Sequence, residues 1–309
     1  MAIRRFFKQL TLSKNTKYIL SLDGGGVRAI AAIVFLKQLE IASGKKIFDT
    51  FDFFVGTSAG GINALQIAGL GASCFELEKF WSKENLSKTM TKSFWDNASF
   101  LQTKPKYDGK GKRELLLKYF KDQSLGEVKK PVAVLAYDVE KRKPRLLSSY
   151  GSPTIKIVSA ASATSAAPIY YSTQQIDDGS WLIDGGIVAN NPSLLAYSEA
   201  KKIFPDCQIK VLSIGTGINR RKINGPNSSK WGALSWLRHD ILGIMIESSM
   251  FDEIARDLMG ANYLRVNSPT GLVNRRMDDT SDINIERINL MGMSWWSQFG
   301  DDTTKFLNV

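Results

Sequence analysis

Apolar residues fall in short, nearly unbroken stretches along the first two thirds of the chain, and several of these stretches end at glycine before a segment of helical spacing begins. "KYILSL" (17–22) predicts a strand, Gly24, Gly25 and Gly26 stop it, and "VRAIAAIVFLKQLEIASG" (27–44) carries helical periodicity to a closing glycine. The unit repeats at once: "FDFFVG" (51–56) predicts a strand, the residues around Ser58 a turn, and "AGGINALQIAGL" (59–70) a helix. Further strands are predicted at "PVAVLAYDV" (131–139), "RLLSSY" (145–150), "WLIDGG" (181–186) and "QIKVLSIG" (208–215), with helices at "IKIVSAASATSAA" (155–167) and "NPSLLAYSEAKKIF" (191–204). Strands apolar along their length are buried on both faces, so the pattern predicts an α/β fold: a three-layer sandwich with a mainly parallel central sheet flanked by helices.

Residues 75–123 are helical and polar and read as an insertion or cap. With no linker or internal repeat, the 309 residues are expected to form a single domain, 1–309, with a core over about 17–217 and a helical part over about 218–309 packed on it. Two smaller domains are the alternative. In such sheets, sites gather beyond the carboxyl ends of strands. Asp23 to Gly26, Ser58, Asp184 to Gly186 and Gly215 to Gly217 each follow a predicted strand directly, so all four are expected to face one crevice.

The chemistry of those positions centres on "GTSAG" (56–60). Gly56, Ala59, Gly60 and Gly61 are the small neighbours that a nucleophilic serine needs on a strained strand-to-helix elbow. The helix that follows aims its free N–H groups at the same place, where a developing oxyanion would be stabilised. A glycine-softened helix start is the competing reading. "DGGGVR" (23–28) formally matches a dinucleotide-binding turn, but Asp23 would set a carboxylate beside the pyrophosphate and no acid ends the second strand. The preferred reading is an oxyanion hole, in which residues without side chains let backbone N–H groups approach a tetrahedral intermediate. A structural glycine turn also remains open.

A serine needs a base. Asp184, at the end of "WLID" and before Gly185 and Gly186, is a candidate, since a desolvated carboxylate can accept the proton directly. It would otherwise be read as a turn former. The order Ser58, Asp184, His239 is also that of an α/β-hydrolase triad, and His239 is the only histidine in the chain. Yet it falls in "WGALSWLRHDILGIMIESSMF", whose spacing is helical, whereas a triad histidine occupies a loop.

The net charge of +11 favours anionic surfaces: nucleic acid, phospholipid headgroups or an acidic partner. Basic residues gather at 103–113, 139–145 and 219–222 without the aromatic interleaving of a nucleic-acid reader, so solvated loops are the simple reading and no nucleic acid is expected. Arg4, Arg5, Phe6, Phe7 and Lys8 suit a headgroup layer or a frayed basic terminus. Cys74 and Cys207 do not make a disulfide framework, which suggests a reducing compartment. No apolar run reaches the length of a signal peptide core or a membrane span, so the chain is expected to be cytoplasmic, with peripheral contact at the inner membrane face. No metal or other cofactor is expected, because histidines and cysteines are too few for a transition-metal cluster and no acidic calcium loop is present.

Taken in order, these motifs resemble those of the patatin-like phospholipases, lipid acyl hydrolases that use a Ser-Asp dyad and no catalytic histidine. "DGGGVR" is similar to the family's oxyanion-hole motif, "GTSAG" to its nucleophile elbow and "DGG" (184–186) to its aspartate motif. "KYDGK" (106–110), "ATSAAPIYY" (163–171), "NNPSLLAYSEA" (190–200), "VLSIGTG" (211–217) and "ANYLRVNSP" (261–269) also resemble family segments in family order, from about residue 17 to the end. The resemblance implies Ser58 as nucleophile, Asp184 as base, the amides of Gly24, Gly25 and Gly26 as oxyanion donors and Arg28 as support for that loop. It also implies a phospholipid membrane surface as partner. Because some bacterial relatives are effector phospholipases controlled by signalling nucleotides in antiviral defence, a cyclic nucleotide activator is a further implied partner. Ala29 stands where family members commonly carry glycine.

Overall fold

Among the described residues the apolar stretches become the interior of one eight-stranded sheet. The computed structural model describes residues 15–91, 104–220, 222–232, 235–236, 243–244 and 250–309. Strand β1 (Thr16–Leu22) leads through a 3-10 turn, Gly26–Ala29, into α1 (Ile30–Ser43). Strand β2 (Phe53–Thr57) runs directly into α2 (Ser58–Leu65), which continues as a π turn, Gln66–Leu70. Helices α3 (Cys74–Phe80), α4 (Lys83–Thr89) and α5 (Lys110–Phe120) follow. Then come β3 (Val132–Asp138), β4 (Lys143–Ser148), α6 (Ile157–Thr164), the two-residue β5 (Gln174–Gln175), β6 (Trp181–Asp184) and α7 (Ser193–Ile203). The chain closes with β7 (Gln208–Ile214), α8 (Met250–Met259), β8 (Tyr263–Val266) and α9 (Asp282–Leu307).

Strands β3, β2, β1, β7 and β8 lie side by side and parallel. Strand β4 runs antiparallel along one edge of β3, pairing residues 143–148 with 133–138. The other edge of β3 is shared. Strand β2 covers 132–135 and β6, arriving antiparallel, covers 136–138. The sandwich is therefore mainly parallel with an antiparallel corner, and that corner places the site.

Alternation along each strand divides the core in two. Leu20, Leu22 and Phe54 face α1 and α2, packing among Phe35, Leu39 and Leu65. Ile19, Phe53 and Val55 face the opposite layer, against Ala196 and Ala200 of α7 and Met259 of α8. Helix α1 is buried continuously from Ile30 to Leu36 because it lies between the sheet and α9, and a helix apolar all round must be covered all round. Helix α9 approaches so closely that a Cβ on Gly292 would lie 2.7 Å from the Ala31 carbonyl oxygen. Trp295, fully buried on α9, donates its indole N–H to Ser268 Oγ at 2.7 Å, satisfying its one polar group.

Two elements differ from the sequence reading. The C-terminal part is not wholly helical, since Tyr263–Val266 adds β8 to the sheet beside β7. The polar stretch 75–123 supplies α3, α4 and α5, whose Leu77, Phe80, Leu86, Leu115 and Phe120 turn inward and join the main core. Of the basic segments, 103–113 is not simply a solvated loop, because Lys112 is buried and Lys106 pairs with the buried Asp278. Cys74 and Cys207 are both free. Among the described residues no helix is long and apolar enough to cross a membrane. The basic terminus around Arg4, Arg5, Phe6, Phe7 and Lys8, and His239, lie outside the described residues.

Candidate active site

Ser58 occupies the junction of β2 and α2 with φ of 55°, a left-handed conformation that non-glycine residues rarely hold. The turn is this tight because α2 starts against the end of β1. A Cβ on Gly60 would stand 2.4 Å from the Leu22 carbonyl oxygen and 2.5 Å from that of Asp23. Gly56, buried at the end of β2, is packed on the backbone of Gly60 and Gly61. The Ser58 N–H donates to Thr164 Oγ1 at 3.0 Å, and the Thr164 hydroxyl donates to the Leu135 carbonyl at 2.6 Å, pinning the elbow to β3.

Asp184 reaches the same place from the opposite direction. Thr57 pairs with Leu135 and Asp184 with Ala136, so β2 and β6 end against each other on the shared edge of β3. The Asp184 N–H donates to the Ala166 carbonyl at 3.1 Å, and Gly186 N–H donates to Asp184 Oδ1 at 2.7 Å. Gly185 lies over the Leu135 carbonyl, and a single helical turn, Gly186–Ala189, then carries the chain toward the glycine loop. Ser58 and Asp184 line the same cavity, and the nearby Ser58 hydroxyl favours the ionised form of the Asp184 carboxyl. Burial pushes that carboxyl up to about 6, against the lowering effects of the Ser58 hydroxyl, the Gly186 N–H and the charge of Lys112. It is thus a carboxylate at neutral pH and a stronger base than an exposed one.

The glycine loop closes the third side. Gly24 is held twice by Asn190: its N–H donates to the Asn190 carbonyl at 3.2 Å and its carbonyl accepts from Asn190 Nδ2 at 3.1 Å. Thr216, just beyond β7, also donates to the Gly24 carbonyl, at 2.7 Å. Gly26 takes φ of 57°, and the next N–H, of Val27, donates to the Met277 carbonyl at 2.9 Å. Arg28 is buried and its N–H returns to the Gly25 carbonyl at 3.2 Å. Of the three amides implied as oxyanion donors, that of Gly24 is therefore engaged. Among the described residues those of Gly25 and Gly26 have no protein acceptor.

Asp23, at the root of the loop, is bound in bidentate fashion by Arg265 of β8, which also donates to Ser213 Oγ at 2.7 Å. Although burial pulls the guanidinium down, the Asp23 carboxylate holds it above its ordinary range. The carboxylate that counted against a pyrophosphate in this turn is committed to a buried ion pair.

The serine, the aspartate and the two glycines open into a cavity walled by Ile62, Phe80, Trp81, Leu86, Met90 and Leu115. An apolar chamber beside a serine suits an acyl chain, with the ester at the polar end. Ser58, Asp184 and the glycine loop converge as expected from strand ends, whereas Gly215–Gly217 do not line the cavity: Gly215 packs on Asn267, Gly217 on Thr270, and Thr216 braces the loop through the Gly24 carbonyl. Asn190, Thr164, Thr216, Arg265 and Lys112 were not singled out from the sequence. They act through tertiary contacts, which leave no periodic signal. Among the described residues no cluster of three histidine, cysteine, aspartate or glutamate side chains forms a metal site.

The family described as patatin-like phospholipase matches residues 20–197. The chain is 29% identical over 262 residues to the cGAMP-activated phospholipase of Pseudomonas aeruginosa, covering 81% of this chain and 78% of that protein. It is 32% identical over 279 residues to patatin-like protein 1 of Arabidopsis thaliana, covering 75% and 67% respectively. The crystal structure of VipD from Legionella pneumophila is similar in fold, with a TM-score of 0.52 at 14% identity over 93% of this chain and 67% of that one.

Proposed function

The chain belongs to the patatin-like phospholipase family, and on that footing we propose that it hydrolyses carboxyl esters of membrane phospholipids through a Ser58–Asp184 dyad. The observation that carries this reading is Ser58, on a strained elbow, lining one apolar cavity together with the buried Asp184 carboxylate. With the acyl chain in that cavity, Ser58 Oγ attacks the ester carbonyl and its proton passes to Asp184. The carbonyl oxygen, now an anion, is held by the N–H groups of Gly25 and Gly26. Collapse expels the lysolipid or alcohol, which takes the proton from Asp184, and leaves the acyl group on Ser58. Water then repeats the attack, again giving its proton to Asp184, and the fatty acid departs. A carboxylate serves as sole base here because burial has raised its basicity and, among the described residues, the one hydrogen bond to it comes from the Gly186 N–H.

Regulation belongs to the same proposal. The similarity to a cGAMP-activated phospholipase supports a cyclic dinucleotide that raises turnover, in the manner of a bacterial defence effector. The charge of +11 supports docking on anionic phospholipid. Vesicle binding insensitive to both salt and anionic lipid content would remove the docking part.

The test is fatty-acid release from mixed phospholipid vesicles, with and without added cyclic GMP-AMP, by the wild type and Ser58→Ala. Release that the dinucleotide stimulates and Ser58→Ala abolishes is the expected result. Release that survives Ser58→Ala overturns the nucleophile assignment, and equal release with and without the dinucleotide makes the enzyme constitutive.

A further inference from the structure

Lys112, on the first turn of α5, is only 7% exposed and lines the cavity that holds Ser58 and Asp184. Its ammonium donates to the Ser165 carbonyl at 3.0 Å and to Ser165 Oγ at 3.2 Å, and stands 3.7 Å from the centre of the Tyr171 ring. Among the described residues the Ser165 carbonyl and hydroxyl are its only hydrogen-bond acceptors, and no carboxylate pairs with it. The next carbonyl along the chain, that of Ala166, receives the Asp184 N–H at 3.1 Å. Two consecutive residues thus hold the ammonium and the base against one cavity wall. A cationic group in an apolar chamber is costly unless something there needs its charge.

We infer that Lys112 is a positioning residue for the reaction, its ammonium holding Asp184 in the carboxylate form that can take the Ser58 proton. The inference rests on the dyad proposed above. Among the described residues no other charge competes for the role: the groups acting on Asp184 are the Ser58 hydroxyl, the Gly186 N–H and Lys112. Across the cavity, Asp278 is bound by Lys106, Arg276 and the Tyr107 hydroxyl, and Asp23 is bound by Arg265. The Tyr107 and Tyr171 phenols are raised by burial, so both are neutral throughout the working range.

Burial pulls Lys112 down to about 7 and the Asp184 charge acts against that fall, so the two groups titrate as a coupled pair. As pH falls through the acid limb the ammonium stays charged and resists protonation of its neighbour. Without the charge, Asp184 protonates sooner.

The pH profile of kcat/KM on a water-soluble p-nitrophenyl ester, measured with cyclic GMP-AMP present, tests this with Lys112→Met and Lys112→Gln. The rate at which a fluorophosphonate labels Ser58 gives the same profile without a lipid substrate. Methionine fills the space without charge, and glutamine keeps a donor for Ser165 without charge. Both are expected to move the acid limb upward by about one pH unit, the displacement expected on losing a nearby opposite charge. Profiles that superimpose on the wild type overturn the inference while leaving the dyad intact. So does a shift in Lys112→Met that Lys112→Gln does not share, because the hydrogen bonds rather than the charge would then be responsible. Turnover that survives Ser58→Ala overturns the dyad itself and Lys112's role with it.

Discussion

Ser58 and Asp184 stand at the meeting point of two strands that share one edge of β3, Thr57 pairing with Leu135 and Asp184 with the next residue, Ala136. The backbone ladder therefore fixes both side chains. The serine holds a left-handed backbone conformation, and the Asp184 N–H at the end of its strand is engaged by the Ala166 carbonyl. In the proposed dyad, proton transfer needs no third residue.

The buried carboxylate gives activity and stability opposite pH dependences. Asp184 must be ionised to act, so kcat/KM is expected to fall about tenfold per pH unit below about 6. Its folded pKa lies above the unfolded value, so the folded state binds the extra proton between 3.8 and about 6 and stability decreases as pH rises through that window. Asp184→Asn is thus expected to be inactive yet more stable than the wild type at pH 7, by on the order of 2 kcal/mol, with the gain fading below about pH 4. Urea melts at the two pH values check the sign.

The elbow does not tolerate a methyl group. In Gly60→Ala the new carbon meets the backbone carbonyls of Leu22, at the end of β1, and of Asp23, which follows it; neither can rotate away. A loss of about 3 kcal/mol in a urea melt, or failure to fold, is expected.

The glycine loop depends on the Asp23–Arg265 pair. Arg265→Met leaves a buried carboxylate without its partner and is expected to cost about 3–5 kcal/mol. Adding Asp23→Leu should recover much of the stability but not the activity, because the loop would lose its anchor. Melts and turnover of the single and double variants measure both.

The cavity wall should govern chain length. Leu115→Trp adds bulk inside the chamber beside Phe80 and Trp81. Turnover of long-chain phospholipid is expected to drop tenfold or more while a short-chain ester is spared. An equal loss on both substrates would place the acyl chain elsewhere.

Much of this was legible in the sequence because it is local. Apolar runs broken by glycine gave the parallel strands and their helices, and the small residues around Ser58 marked the elbow. Asp184 was legible as a strand end, but not its antiparallel approach, since strand direction depends on long-range pairing with Ala136, 48 positions earlier. Strand β8 escaped notice because four residues containing Arg265 do not read as a buried strand until Asp23 is seen to receive the charge. Lys112 was hidden among basic neighbours for the same reason: its burial is decided by where α5 docks. The Gly24 amide looked equivalent to those of Gly25 and Gly26, and only its contact with Asn190 separates them.

The central claim is that Asp184 alone serves Ser58. The most direct measurement is fatty-acid release from phospholipid vesicles by the wild type, Asp184→Asn and His239→Ala, with Ser58→Ala as the blank. The dyad predicts near wild-type release from His239→Ala and release at the blank level from Asp184→Asn. A folded but inactive His239→Ala would contradict it and make the histidine the base.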